Sequence, residues 1–214
     1  MAITTLNLRG LNRSDTASSG QVVTATSATA MDFQAAGGAW NKIATQTASD
    51  SASVEFDGNL TDTYRVYKII ADNIVPATDG QGLRITLKRD GEGSYNTGST
   101  DYWHAGDRMR QSVGGGTGAL GSHVDDQSDP AIDGRSDYGT ATGEVGNFEM
   151  TIFPRTGKYA HVHLYEMGGD SYTNNIWTTV IGKLNTAGDC QSIKIAFGSG
   201  NIATGNFVLY GLSI

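Results

Sequence analysis

Residues 193–214 read IKIAFGSGNIATGNFVLYGLSI, and this stretch decides how the rest of the chain is read. Ile193, Ile195 and Phe197 alternate with Lys194 and Ala196, the period of a strand that buries one face. Beyond the bend, Phe207 and Leu209 share one face while Val208 and Tyr210 share the other. Gly198, Gly200 and Gly205 supply bends, and Ser199 and Asn201 can hydrogen-bond their own backbone. The stretch predicts two strands joined as a terminal hairpin. The second strand, apolar on both faces, should lie inside a sheet.

The same signals recur upstream. WNKIATQT, SASVEFDGNL, TYRVYKIIADNI and GLRITLKRDGEG precede residue 94; GNFEMTIFPRTG, KYAHVHLYEM, NNIWTTVIGKL and QSIKIAFG follow residue 146. Leu83, Ile85 and Leu87 set against Arg84, Thr86 and Lys88 give the cleanest alternation, that of a half-buried antiparallel strand. About ten strands follow, with no convincing amphipathic helix and turn signals at sandwich-like spacing. The expected fold is all-β, an antiparallel β-sandwich over 36–214. Jelly-roll and immunoglobulin-like topologies both meet this pattern. The Cys…Trp…Cys spacing of immunoglobulin domains is absent, so a jelly-roll-like sandwich is the expectation. Residues 94–146, rich in Gly, Ser, Thr and Asp, are expected to form a long surface loop excursion. Residues 1–35 carry few bulky side chains and are expected to be an extended N-terminal arm ordered by something else.

Composition narrows the function. The 214 residues include 29 Gly but 3 Pro, and 15 basic against 22 acidic side chains leave a formal charge of −7. An acidic surface repels phosphate backbones, so no nucleic-acid partner is expected. The first residues, MAITTLNLRGLNRSD, lack a signal-peptide core, and no run approaches a membrane span; no membrane partner is expected. The single cysteine, Cys190, rules out an internal disulfide framework and reads as a small buried thiol.

Four constellations could carry chemistry. His161 and His163 stand two apart on one strand face, a spacing that suits zinc or copper. His104, His123 or an aspartate would have to complete the site; the plainer reading is a polar sheet face. Asp125, Asp126, Asp129, Asp133 and Asp137 crowd one segment and could converge on a hard cation, but they lack the spacing of a calcium-binding loop. Tyr95, Tyr102, Trp103 and Tyr138 could form a sugar-stacking platform or could pin the 94–146 loop onto the domain. For catalysis the inventory is thin. GSGN lies in a bend rather than a nucleophile elbow, VGGGTGALG lacks a Lys-Ser/Thr end, and Glu55, Glu144, Glu149 and Glu166 are scattered. No enzyme, cofactor or resident metal is expected.

Two stretches, FDGNLTDTYRVYKIIADNIVPATDGQGLRITLKRDG and GSGNIATGNFVLYGL, resemble a recurrent family of bacteriophage virion proteins found in marine and freshwater phages, cyanophages among them. The matching positions are Phe56, Gly58, Leu60, Tyr64, Tyr67, Asn73, Pro76, Asp79, Leu83 and Arg84. At the other end they are Ser199, Gly200, Asn201, Gly205, Phe207, Leu209, Tyr210 and Gly211. The resemblance covers about 52–98 and 190–212, and residues 1–35 match nothing in it. It implies a multi-copy virion component, a capsid decoration or cement protein bound to the major capsid protein. The alternative is a host- or glycan-binding module of a spike or tail fibre. By analogy with three-fold capsid sites it also implies a homo-oligomer, a trimer foremost.

Overall fold

The computed structural model describes residues 21–25, 31–35, 39–111, 119–123, 128–134, 137–154, 157, 159–169 and 175–212. All the regular structure in them is strand. The first two, β1 (Gln21–Ala25) and β2 (Met31–Ala35), pair antiparallel with each other and belong to a small unit ending at Ala39.

The second unit runs Trp40–Leu212. Its strands begin with β3 (Trp40–Ser51), β4 (Val54–Phe56), β5 (Tyr67–Pro76), β6 (Leu83–Arg89) and β7 (Tyr102–Gln111). Four shorter or flanking strands follow: β8 (Ala119–His123), β9 (Ser128–Asp129), β10 (Ile132–Asp133) and β11 (Gly146–Phe153). The series closes with β12 (His161–Gly169), β13 (Asn175–Leu184), β14 (Cys190–Phe197) and β15 (Ile202–Leu212). They form two antiparallel sheets packed as a sandwich. The small sheet has the order β10-β6-β14-β4, and the large one β3-β15-β5-β11-β12-β13-β7-β8, with β9 also on β7.

Alternation explains the core. Leu83, Ile85 and Leu87 of β6, with Ile193, Ile195 and Phe197 of β14, form the inner face of the small sheet. Opposite them lie Tyr67 and Ile69 of β5, Met150 and Ile152 of β11, Leu164 of β12, and Phe207 and Leu209 of β15. Four strands cannot cover nine. Ala131 and Tyr138, which flank the β10 edge strand in sequence, are buried beside Ile132 of β10 and extend the small sheet's cover. Tyr138 lies so close over Gly146 that a Cβ there would sit inside its ring.

Two expectations are corrected. The bend at 198–201 closes no hairpin: β14 lies between β6 and β4 in one sheet, β15 between β3 and β5 in the other. Each strand carries a buried apolar row. Pairing them in one sheet would place both rows side by side, whereas crossing between sheets sets them facing each other. β15 does lie inside its sheet, flanked on both sides.

The expected 94–146 excursion holds β7, an interior strand between β13 and β8. Its inward positions are Tyr102, His104 and Gly106 rather than a Val/Ile/Leu row, so hydropathy alternation did not reveal it.

Candidate binding face

The outer face of the large sheet is the feature that calls for a function. Strand register builds it in rows. One row runs Phe153, His161, Lys183, Trp103 across β11, β12, β13 and β7. The next runs Lys68, Thr151, His163, Ile181, Ala105 from β5 to β7. Then come Ile70, Glu149, Tyr165, Thr179, Asp107, and finally Asn147, Met167, Trp177, Met109.

Large apolar side chains stand open in every row. Ile181 is 62 % exposed, Met167 50 %, Met109 47 % and Trp103 45 %, with Ile70 and Phe153 close behind. Tyr165 meets Trp177 edge to face at 5.3 Å. The Trp177 indole N–H is buried and has no hydrogen-bond partner among the described residues. Charge on the face comes from Lys68, Lys183, Glu149 and Asp107, interspersed with the apolar side chains. Lys68 Nζ lies 2.5 Å from Glu149 Oε1 and 5.0 Å from the Trp40 ring. Lys183 Nζ sits 4.7 Å from the Trp103 ring and 4.5 Å from the Tyr159 ring. A shallow groove of about 480 Å³ runs over β5, β11 and β12, lined by Ile70, Asp72, Asn147, Glu149, His163 and Tyr165 among others.

The predicted residues scatter around this face. His161 and His163 both point outward and are exposed, with His163 Nε2 2.9 Å from Thr179 Oγ1. Their register neighbours are Phe153 and Lys183 for His161, and Thr151 and Ile181 for His163; no metal ligand stands among these. His104 is buried on the opposite face, its Nδ1 3.7 Å from Asp129 Oδ2. The His123 side chain lies outside the described residues. Among the described residues no cluster of three or more His, Cys, Asp or Glu could hold a metal ion.

Asp125 and Asp126 also lie outside the described residues. The remaining acids of that segment disperse: Asp133 accepts from Arg84 Nε at 2.9 Å and Asp137 pairs with an Arg108 guanidinium nitrogen at 2.6 Å.

The four aromatics do not converge on one platform. Tyr102 and Tyr138 are buried, because their strand and bridge positions face the core. Tyr102 Oη donates to Asn96 O at 3.1 Å, and burial pushes its phenol pKa up. Tyr138 Oη donates to the fully buried Glu166 carboxylate at 3.1 Å, and Thr178 Oγ1 donates to the other oxygen at 2.5 Å. Tyr95 packs near the small sheet instead, between Lys88 and Lys194. Only Trp103 of the four reaches the outer face. Of the glutamates, Glu149 lies on that face, Glu166 and Glu144 are buried, and Glu55 is exposed on β4. Cys190 is buried at the start of β14.

Residues of the 52–98 and 190–212 stretches serve the fold. Asn201 Nδ2 donates to the carbonyl and carboxylate of Asp50 at 3.1 and 2.9 Å, and Ala77 N donates to Asn201 O at 2.8 Å. Thr204 Oγ1 donates to Asn73 O at 3.1 Å, where Asn73 has the left-handed φ of 53°. The two stretches thus meet where the chain crosses between sheets. Ile70, Tyr165, Met167, Trp177 and Ile181, which make the face, were missed as site residues. The signal was present: KIIAD, LYEM and WTTVI carry apolar residues at both parities.

No family model, curated protein or solved structure matches this chain.

Proposed function

We propose that this chain is a non-catalytic structural component of a phage virion, a capsid decoration or cement protein. It seats the outer face of its large sheet on the major capsid protein or another virion protein. One observation carries the reading: the outer face of an antiparallel sheet, the side that normally turns polar residues to water, displays large apolar side chains in every row. Contiguous apolar surface of this kind marks protein contact. The resemblance of 52–98 and 190–212 to phage virion proteins supplies the particle. The jelly-roll subtype belongs to the same reading, supported by the repeated crossings between sheets at β3/β4, β4/β5 and β14/β15.

The test is binding to isolated capsid shells. Ile181→Ser with Met167→Ser should abolish capture of the protein on shells while leaving its melting temperature in place. Undiminished capture by the double variant would refute this docking face.

A second reading is favoured by the groove, where an aromatic ring lies beside Asp72, Asn147 and Glu149. Saccharide sites combine ring stacking with such hydroxyl partners. It predicts glycan-array binding that Tyr165→Ala removes; an array without signal dismisses it.

A further inference from the structure

We propose that β3 joins two copies of this chain, edge to edge and antiparallel, across a two-fold axis at Gln46.

The two sheets have four edges, and three are short. β10 has two residues, β4 three with Glu55 among them, and β8 five. The fourth, β3, has twelve, and among the described residues it pairs on one side only, with β15. An unpaired edge presents a row of backbone N–H and C=O groups that templates another strand. Natural edges are guarded by charge, proline, bulges or brevity. Residues 43–49 read IATQTAS, with neither charge nor proline. The pairing of 44–49 with β15 is regular, and the bulge falls at Ile43, outside it.

The sequence of the edge is self-complementary about one residue. Antiparallel pairing of two β3 strands with Gln46 opposite Gln46 sets Ala44 opposite Ala48 and Thr45 opposite Thr47. Lys42 and Asp50 stand at the two ends of this stretch, both exposed. Opposed residues in an antiparallel pair lie on the same face. The pattern obeys this: Ala44 and Ala48 register with inward Leu209 and Gly205, Thr45 and Thr47 with outward Val208 and Asn206. Centring on residue 45 or 47 loses both the alanine and the threonine matches. A chain of charge −7 repels its copies over most of its surface, and this edge is a neutral stretch bounded by opposite charges. Such a contact is isologous and closes as a dimer, in place of the trimer that capsid analogy suggests. It stands independently of the capsid reading.

The experiment measures the mass of the full-length protein in solution by light scattering, with shell capture playing no part. The expected mass is that of two chains. Thr45→Lys with Thr47→Lys sets like charges opposite each other twice and should weaken association about tenfold. Thr45→Lys with Thr47→Glu sets opposite charges there and should restore it. Gln46→Cys should give an intersubunit disulfide on oxidation. Both threonines are exposed, so the melting temperatures of the charge variants should match the parent. Monomer at the highest soluble concentration, or a trimer, overturns the proposal. So does a dimer that tolerates the double-lysine change, or one that both charge variants disrupt equally.

Discussion

Leu164 and Glu166 on one face of β12 are fully buried, while Tyr165 and Met167 on the other are 37 % and 50 % exposed. Both faces carry large apolar side chains, in opposite environments. Inside, the small sheet and the Ala131 to Tyr138 connection close over the strand, and even a carboxylate is held by hydroxyl donors. Outside, large side chains stand open. Apolar character by itself therefore identifies surfaces that want cover, and only the packing says which have received it.

The largest effect that could break the comparison lies in the core. Phe207→Ala or Leu209→Ala should cost about 2–5 kcal/mol in denaturant unfolding, since each removes a fully buried side chain that its neighbours cannot replace. Ile181→Ser on the outer face should stay within about 0.5 kcal/mol of the parent. Equal losses would erase the distinction between the faces.

A smaller effect sharpens how the inner face is closed. Gly146→Ala must displace the Tyr138 ring and should cost on the order of 1–3 kcal/mol. With Tyr138→Ala already present, the same glycine change should cost far less. Additive losses in that double-mutant cycle would show that the ring does not rest on Gly146.

The smallest effect concerns the small sheet. Lys88 Nζ, 2.5 Å away, and Ser192 Oγ hold the Asp57 carboxyl below the usual carboxylate range. A folded pKa below the unfolded one contributes stability that is complete above the unfolded value and fades as pH falls through the folded one. Asp57→Asn should therefore flatten the acid limb of the melting-temperature profile by slightly lowering its neutral end, leaving the acid end nearly unchanged. An unaltered acid limb would remove Asp57 from that account.

Much of the fold was legible. The alternation of 83–88 and 193–197 places β6 and β14, and residues at both parities of KIIAD mark β5 as an interior strand. β7 was not legible, because Tyr102, His104 and Gly106 fill its inward positions and the signal of hydropathy is lost. The candidate site was less readable than the fold. Tyr102, Trp103 and Tyr138 look alike in sequence, yet two are core residues and one is exposed. Their fates depend on strand parity and on a bridge between Gln81 and Tyr138, partners far apart in the chain.

Outside 94–146, the sequence by itself determined where the long strands form and which side chains share a face, because a period of two is a property of neighbouring residues. The tertiary structure decided which sheet each strand joins and which face is covered. The bend at 198–201 shows the division: its glycines and Asn201 specify a turn, but backbone hydrogen bonding accepts any strand as partner. Only the packing of Phe197 and Ile195 against a facing sheet turns an expected hairpin into a crossing.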